Sequence, residues 1–249
     1  MSNEHLQDKI EGRNPVMEAL RSNRPIDKIL VQTGEKHGSI IKILSLAKEK
    51  RINISYVQRA KLDVISQTKS HQGVIAYCAQ KEYAKVSDII NLAQKKGEHP
   101  FVVICDDIED PHNLGSIIRT ANLAGAHGVI ISKHGGVGLN ATVAKTSAGA
   151  SEYTLVAKVS SIANTIDELK KQNIWVVGSH MDGEKTIYNH DFSGAVAIVI
   201  GSEGKGISRL VKEKCDFLVN IPMYGDISSL NASVAGALMI YEVVRSRQK

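Results

Sequence analysis

Phe101-Val-Val-Ile-Cys-Asp-Asp-Ile-Glu-Asp-Pro-His-Asn-Leu-Gly-Ser-Ile-Ile-Arg-Thr-Ala121 is the stretch that decides the fold. Its first five residues are uninterrupted apolar, as in a strand covered on both faces of a sheet. Asp106, Asp107, Glu109 and Asp110 follow, and Pro111 turns the chain. From Leu114 the spacing predicts a helix over 114–124. In open α/β sheets, ligands bind at such strand-to-helix boundaries. Two more follow. Ile200-Gly-Ser-Glu-Gly-Lys-Gly206 comes after the apolar run 195–200. Ile221-Pro-Met-Tyr-Gly-Asp-Ile-Ser-Ser-Leu-Asn-Ala-Ser-Val-Ala235 joins a strand over 217–221 to a helix over 230–247. Three boundaries of small and polar residues in one domain predict a single composed site.

Working outward, the sequence predicts further strands over 129–132, 154–157 and 175–178, with helices over 161–171 and 207–214. Short apolar strands alternating with helices imply a mainly parallel sheet. Residues 1–80 read as a small α/β module. Its helices fall over 16–21, 40–51 and 61–65, its strands over 28–32, 52–57 and 73–79. Asn14 is the expected N-cap of the first helix, with Pro15 at the first helical position. Residues 81–99 form a polar connection with an amphipathic stretch over 86–94, ending in Lys95-Lys-Gly-Glu-His-Pro100. The expected division is therefore 1–80, 81–99 and 100–249.

The chain has 249 residues, 43% hydrophobic and 23% charged, an ordinary globular balance. Aromatics make up only 4%, so no stacking-rich surface stands out. Cys78, Cys105 and Cys215 sit apart in apolar runs; their odd number excludes a simple disulfide framework and suits a reducing cytoplasm. The first nine residues lack the apolar core of a signal peptide, and the run 195–200 is far too short to span a bilayer. The expected location is cytoplasmic, without a membrane partner. Charge is uneven: residues 1–80 carry 13 Lys+Arg against 8 Asp+Glu, and the remainder carries 18 of each. A basic first third fits a polyanion, and it also fits an ordinary solubility balance.

Asn113 reads either as the N-cap of the 114–124 helix or as a site residue. Arg119 reads either as a solvated helical charge or, because Ile117, Ile118, Ala121 and Ala124 make the helix mostly buried, as a residue that needs an anionic partner or a ligand; the second reading is favoured. Gly201, Gly204 and Gly206 allow close approach to a ligand, yet the segment matches neither a Walker A loop nor a dinucleotide fingerprint. Glu203 reads equally as a cap for the following helix. Ser228 or Ser229 is the expected cap of the last helix, with Asn231 in its first turn. The small residues of that helix suit close packing, including across a dimer interface. Nothing points to a metal.

On these residues the chain resembles the SpoU/TrmH branch of the SPOUT methyltransferases, which methylate ribose 2′-hydroxyls of RNA with S-adenosylmethionine. Asn113-Leu-Gly-Ser-Ile-Ile-Arg119-Thr-Ala is similar to the family's first motif, Gly201-Ser-Glu203-Gly to its second, and Ile221-Pro-Met with Ser229-Leu-Asn231-Ala-Ser-Val to its third. Gly12-Arg-Asn-Pro-Val-Met-Glu-Ala-Leu20 and His71-Gln-Gly-Val74 resemble the L30e-like substrate-binding domain of its large-subunit rRNA enzymes. The resemblance implies a C-terminal trefoil knot, a homodimer and an RNA substrate, rRNA before tRNA. It implies that Gly201, Ile221, Met223, Leu230, Ser179 and His180 hold S-adenosylmethionine. It assigns the reaction to Asn113, Arg119, Glu203, Ser229 and Asn231. A non-catalytic RNA-binding protein and a nucleotide-dependent oxidoreductase or kinase are the competing readings. The intact motif set disfavours the former, and the missing nucleotide fingerprints disfavour the latter.

Overall fold

The structure, a computed structural model, describes residues 7–35, 37–227 and 229–248. It divides into two units: residues up to Glu82 with Leu139–Tyr153, and Tyr83–Gly138 with the remainder from Thr154.

Unit 1 contains β1 (Gln7–Glu11), α1 (Arg13–Arg21), β2 (Ile26–Gln32), α2 (Ser39–Glu49), β3 (Asn53–Val57), α3 (Arg59–Ile65) and β4 (Val74–Ala79). The sheet order is β1-β4-β2-β3, antiparallel except for the β2–β3 pair. Val16, Leu20, Ile29, Ile40, Ile43 and Val74 form its core. β1 was not expected, because Gln-Asp-Lys-Ile-Glu lacks a strand's apolar pattern; it is an edge strand, where charged residues are common. α1 starts earlier than predicted, with Gly12 as N-cap at φ 98°, so Asn14 does not cap it and Pro15 lies within its first turn. The reason is tertiary: Gln72 Oε1 accepts the Arg13 N–H at 3.0 Å, which fixes the helix entry ahead of Asn14.

The second stretch of unit 1 carries α6 (Ala141–Thr146), whose N-cap Asn140 accepts a hydrogen bond from the Val143 N–H at 2.9 Å. It is held by Arg24, whose buried guanidinium pairs with Asp8 at 2.5 Å and with the buried Glu152 at 2.9 Å.

Unit 2 begins with α4 (Val86–Lys96), β5 (Phe101–Asp106), α5 (Pro111–Leu123) and β6 (Gly128–Ser132). It continues with β7 (Val156–Val159), α7 (Ile162–Lys170), β8 (Trp175–Ser179), β9 (Lys185–Thr186), β10 (Val196–Gly201), α8 (Arg209–Lys214), β11 (Phe217–Asn220) and α9 (Ala232–Arg247). The sheet order is β7-β6-β5-β10-β8-β11-β9, and every registered pair is parallel. The expected mainly parallel sheet is therefore present. From β5 the chain winds outward to β6 and β7, then returns to build the other half from β8, β9, β10 and β11. This puts the topological switch between β5 and β10, where ligands bind in such sheets. Helix starts again differ from expectation. Asp110, not Asn113, caps α5, accepting the His112 N–H at 2.9 Å with Pro111 as first helical residue. α8 is capped from Ser208, not by Glu203. Asn231 is itself the N-cap of α9 and accepts from Ser233 and Val234; Ser228 lies outside the described residues. No helix among the described residues is long and apolar enough to cross a membrane.

His127, buried beside β5, accepts the Phe101 N–H at Nδ1 (3.0 Å) and faces Glu98 at Nε2 (3.0 Å). A proton on Nδ1 would break the first bond, so the native ring is neutral. Burial holds its pKa below the ordinary value of 6.5, against the pull of Glu98. The unfolded chain then binds the proton more readily, so this contribution is complete above about pH 6.5 and is lost as pH falls below it. Urea midpoints should drop between pH 7.5 and 5.5, with a shallower drop in His127→Gln. Equal slopes in both proteins would refute this assignment.

Candidate active site

β5 and β10 pair so that Gly201 lies beside Asp106. The two chain segments leaving the switch point therefore start side by side. After β10 the chain closes a tight loop: Ser202 and Gly206 exchange backbone hydrogen bonds of 3.1 and 2.9 Å, with Gly204 and Gly206 at φ 80° and 65°. The loop folds back so closely that a Cβ on Gly201 would lie 2.1 Å from the Gly206 carbonyl carbon. Asp106 anchors the far side, its Oδ2 accepting the Ser208 N–H at 2.7 Å. Burial raises the Asp106 carboxyl above its usual value, and the Ser208 hydrogen bonds offset only part of that rise.

This geometry brings three polar side chains together. Asn113 Nδ2 donates to Glu203 Oε1 at 2.7 Å, and Asn231 Nδ2 donates to the same oxygen at 2.6 Å and to Asn113 Oδ1 at 3.0 Å. Asn231 Oδ1 is occupied by the N-cap bonds of α9. Each amide is thus fixed in orientation from two sides. Glu203 Oε2 has no hydrogen-bond partner among the described residues.

Gly201, Ile221, Met223, Leu230, Ser179 and His180 all line one cavity of about 300 Å³, and Ser229 lies on its wall. Glu203 also borders a second cavity of about 490 Å³, lined by Ile108, Glu109, Asp110 and Asn113. Ser202, Glu203, Lys205 and Ala232 form the wall common to both. The Asn113–Glu203–Asn231 cluster therefore stands at the boundary of two compartments. α9 is pressed against this floor: a Cβ on Gly236 would lie 2.8 Å from Ile200 Cδ1.

Arg119 departs from expectation. It is exposed and forms no hydrogen bond or ion pair with the described residues. Ile117, Ile118 and Ala121 face the core, whereas Arg119 shares the outer side of α5 with His112 and Leu123. It lies six positions after Asn113, about 120° around the helix axis, so the two cannot point the same way. Sequence reasoning also passed over Lys205, on the wall of both cavities. Its signal was being the sole cation in the glycine loop.

Residues 100–241 match the SpoU rRNA Methylase family. The chain belongs to that family. Residues 9–84 match the family of RNA 2′-O ribose methyltransferase substrate-binding domains. Across nearly its whole length this SpoU/TrmH protein is similar to YacO of Bacillus subtilis, whose name places it among TrmH family tRNA/rRNA methyltransferases; the two are 49% identical over 99% of this chain and 98% of YacO. Among solved structures, the SpoU methyltransferase AviRb from Streptomyces viridochromogenes, in complex with AdoMet, superposes with a TM-score of 0.83 at 25% identity, covering 98% of this chain and 91% of AviRb. A crystal structure of an RNA 2′-O ribose methyltransferase gives 0.82 at 26% identity, covering 99% and 91%. The protein is thus an RNA methyltransferase of the SpoU/TrmH family with the α/β fold of its relatives.

Proposed function

We propose that the protein methylates a ribose 2′-hydroxyl of RNA, with a guanosine of large-subunit (23S) rRNA as the favoured target, and that it works as a homodimer with the family's knotted C-terminal region. The observation that carries this reading is the Asn113–Glu203–Asn231 cluster on the boundary between two cavities. The cofactor is S-adenosylmethionine. The 300 Å³ cavity suits an adenosine-bearing ligand: its lining combines Gly201, Gly204 and Gly206 with the apolar Ile200, Ile221 and Leu230, and its size is within the range of small-ligand pockets. When bound, S-adenosylmethionine supplies a methyl carbon already made electrophilic by its sulfonium.

What remains for the protein is the oxygen. Glu203, held by two amide donors, keeps Oε2 free to accept the ribose hydroxyl's hydrogen bond and to fix that oxygen at the boundary between the cavities. Arg119 stays protonated, binds the nucleotide's phosphate and stabilises negative charge on the oxygen as its proton passes along the hydrogen bond to Glu203 Oε2 and from there to water. Because Arg119 faces outward from α5, the homodimer belongs to this reading. α5 packs along α9, and both leave apolar residues exposed, Leu123 on the first and Val234 and Tyr241 on the second. The additional basic N-terminal domain favours rRNA over a tRNA ribose.

The test is transfer of labelled methyl to RNA from a strain deleted for this gene, followed by mapping of 2′-O-methylated positions. Label at a single 23S guanosine ribose supports the proposal. Label in tRNA would replace the rRNA target, and no transfer to either RNA would refute the activity.

A further inference from the structure

The second cavity has an unusual charge for a place where RNA must enter. Glu109, Asp110 and Glu203 line it, and among the described residues Lys205 is the one lysine or arginine on the wall of either cavity. Two of these carboxylates are held by neutral donors, Glu203 Oε1 by the Asn113 and Asn231 amides and Asp110 by the His112 N–H, and none of the three forms an ion pair among the described residues. Their negative charge is therefore uncompensated, and it opposes a polyanion.

Lys205 is exposed and has no hydrogen bond or ion pair with any described residue. Its backbone is nonetheless fixed. It sits between Gly204 and Gly206, both at positive φ, in the loop closed by the Ser202–Gly206 bonds. An anchored main chain with an unpaired ammonium at its tip presents a mobile point charge on a rigid mount. The methionine part of the cofactor brings its own ammonium for its carboxylate, whereas a phosphodiester brings no cation.

We infer that Lys205 is a substrate-positioning residue that takes an RNA phosphate adjoining the methylated ribose and admits the backbone to an otherwise acidic cleft. This rests on the reading of the protein as an RNA ribose methyltransferase.

The test compares wild type, Lys205→Ala and Lys205→Arg. It uses an unmethylated 23S rRNA transcript for methyl transfer and for direct binding, and calorimetry for S-adenosylmethionine. Lys205→Ala should raise the KM and Kd for RNA by about tenfold and lower the slope of log Kd against log salt by about 0.7, the share of one phosphate on a single strand. Cofactor affinity should be unchanged, and Lys205→Arg should restore most of the RNA affinity. Weakened cofactor binding with unchanged RNA binding would assign the lysine to the cofactor and overturn the inference, as would no change in either. If wild type binds the transcript without methylating it, the proposed activity fails, while the Lys205 binding comparison still decides this inference.

Discussion

Arg119→Ala is expected to lower methyl transfer to RNA by about a hundred- to a thousandfold, the cost of removing one preorganised charge-stabilising donor. S-adenosylmethionine affinity should stay close to wild type, because Arg119 does not line the cavity that fits the cofactor. It is also exposed and unpaired among the described residues, so its removal opens no cavity and orphans no buried partner. Loss of activity therefore cannot be passed off as unfolding; the thermal midpoint should be unchanged. Parallel loss of cofactor binding and transfer would sink the assignment. Mixing inactive Arg119→Ala and Asn231→Ala chains adds a second readout. If arginine and amide cluster serve one reaction from different copies, mixed dimers regain activity.

Gly201→Ala should be the most damaging single methyl group in the chain. The added Cβ would lie 2.1 Å from Gly206 C, 2.2 Å from Ile207 N and 2.3 Å from Gly206 O. These are backbone atoms, and the loop that holds them is closed by the Ser202–Gly206 bonds. No side chain can swing aside, so the β10–α8 connection must shift as a whole. Overpacking costs about 1–3 kcal/mol where neighbours yield, and here the displaced loop also walls the cavity proposed for the cofactor. S-adenosylmethionine affinity should fall by more than about tenfold, with about 1.4 kcal/mol for each factor of ten, and the thermal midpoint should fall with it. Gly194→Ala is the control, since nothing lies within 4 Å of its Cβ position. Wild-type cofactor affinity in Gly201→Ala would show that the loop does not shape that cavity.

Much of the architecture was legible because it is written in short periods. The apolar runs of β5, β6, β8 and β10 and the helices between them are local patterns, and the structure contains them with small shifts at their ends. What failed was decided elsewhere in the chain. Gln72 sets the start of α1 from the chain entering the neighbouring strand β4, and Asp110 takes the cap expected of Asn113. Arg119 looked buried because its neighbours in sequence are apolar, but a helix has sides, and only packing says which one faces the core. The polar cluster was likewise invisible as geometry. Asn113, Glu203 and Asn231 meet because β5 and β10 are adjacent, an order no periodicity specifies. The cavity residues Ser179 and His180 had no local signature at all and entered through family resemblance.

The buried pairing of Arg24 with Asp8 and Glu152 has a consequence for how the chain is made. Arg24 leaves the ribosome early, and one of its two carboxylate partners lies near the end of Leu139–Tyr153. At about 5–20 residues per second, roughly 70 residues must be translated after Glu82 before that partner exists. Through those seconds β1 waits without α6 beside it, and a guanidinium destined for burial stays in water. The unit whose synthesis starts first thus cannot be finished until part of the other unit has been made. A nascent chain arrested before residue 139 would carry an N-terminal unit with an open flank, a natural place for a chaperone to bind.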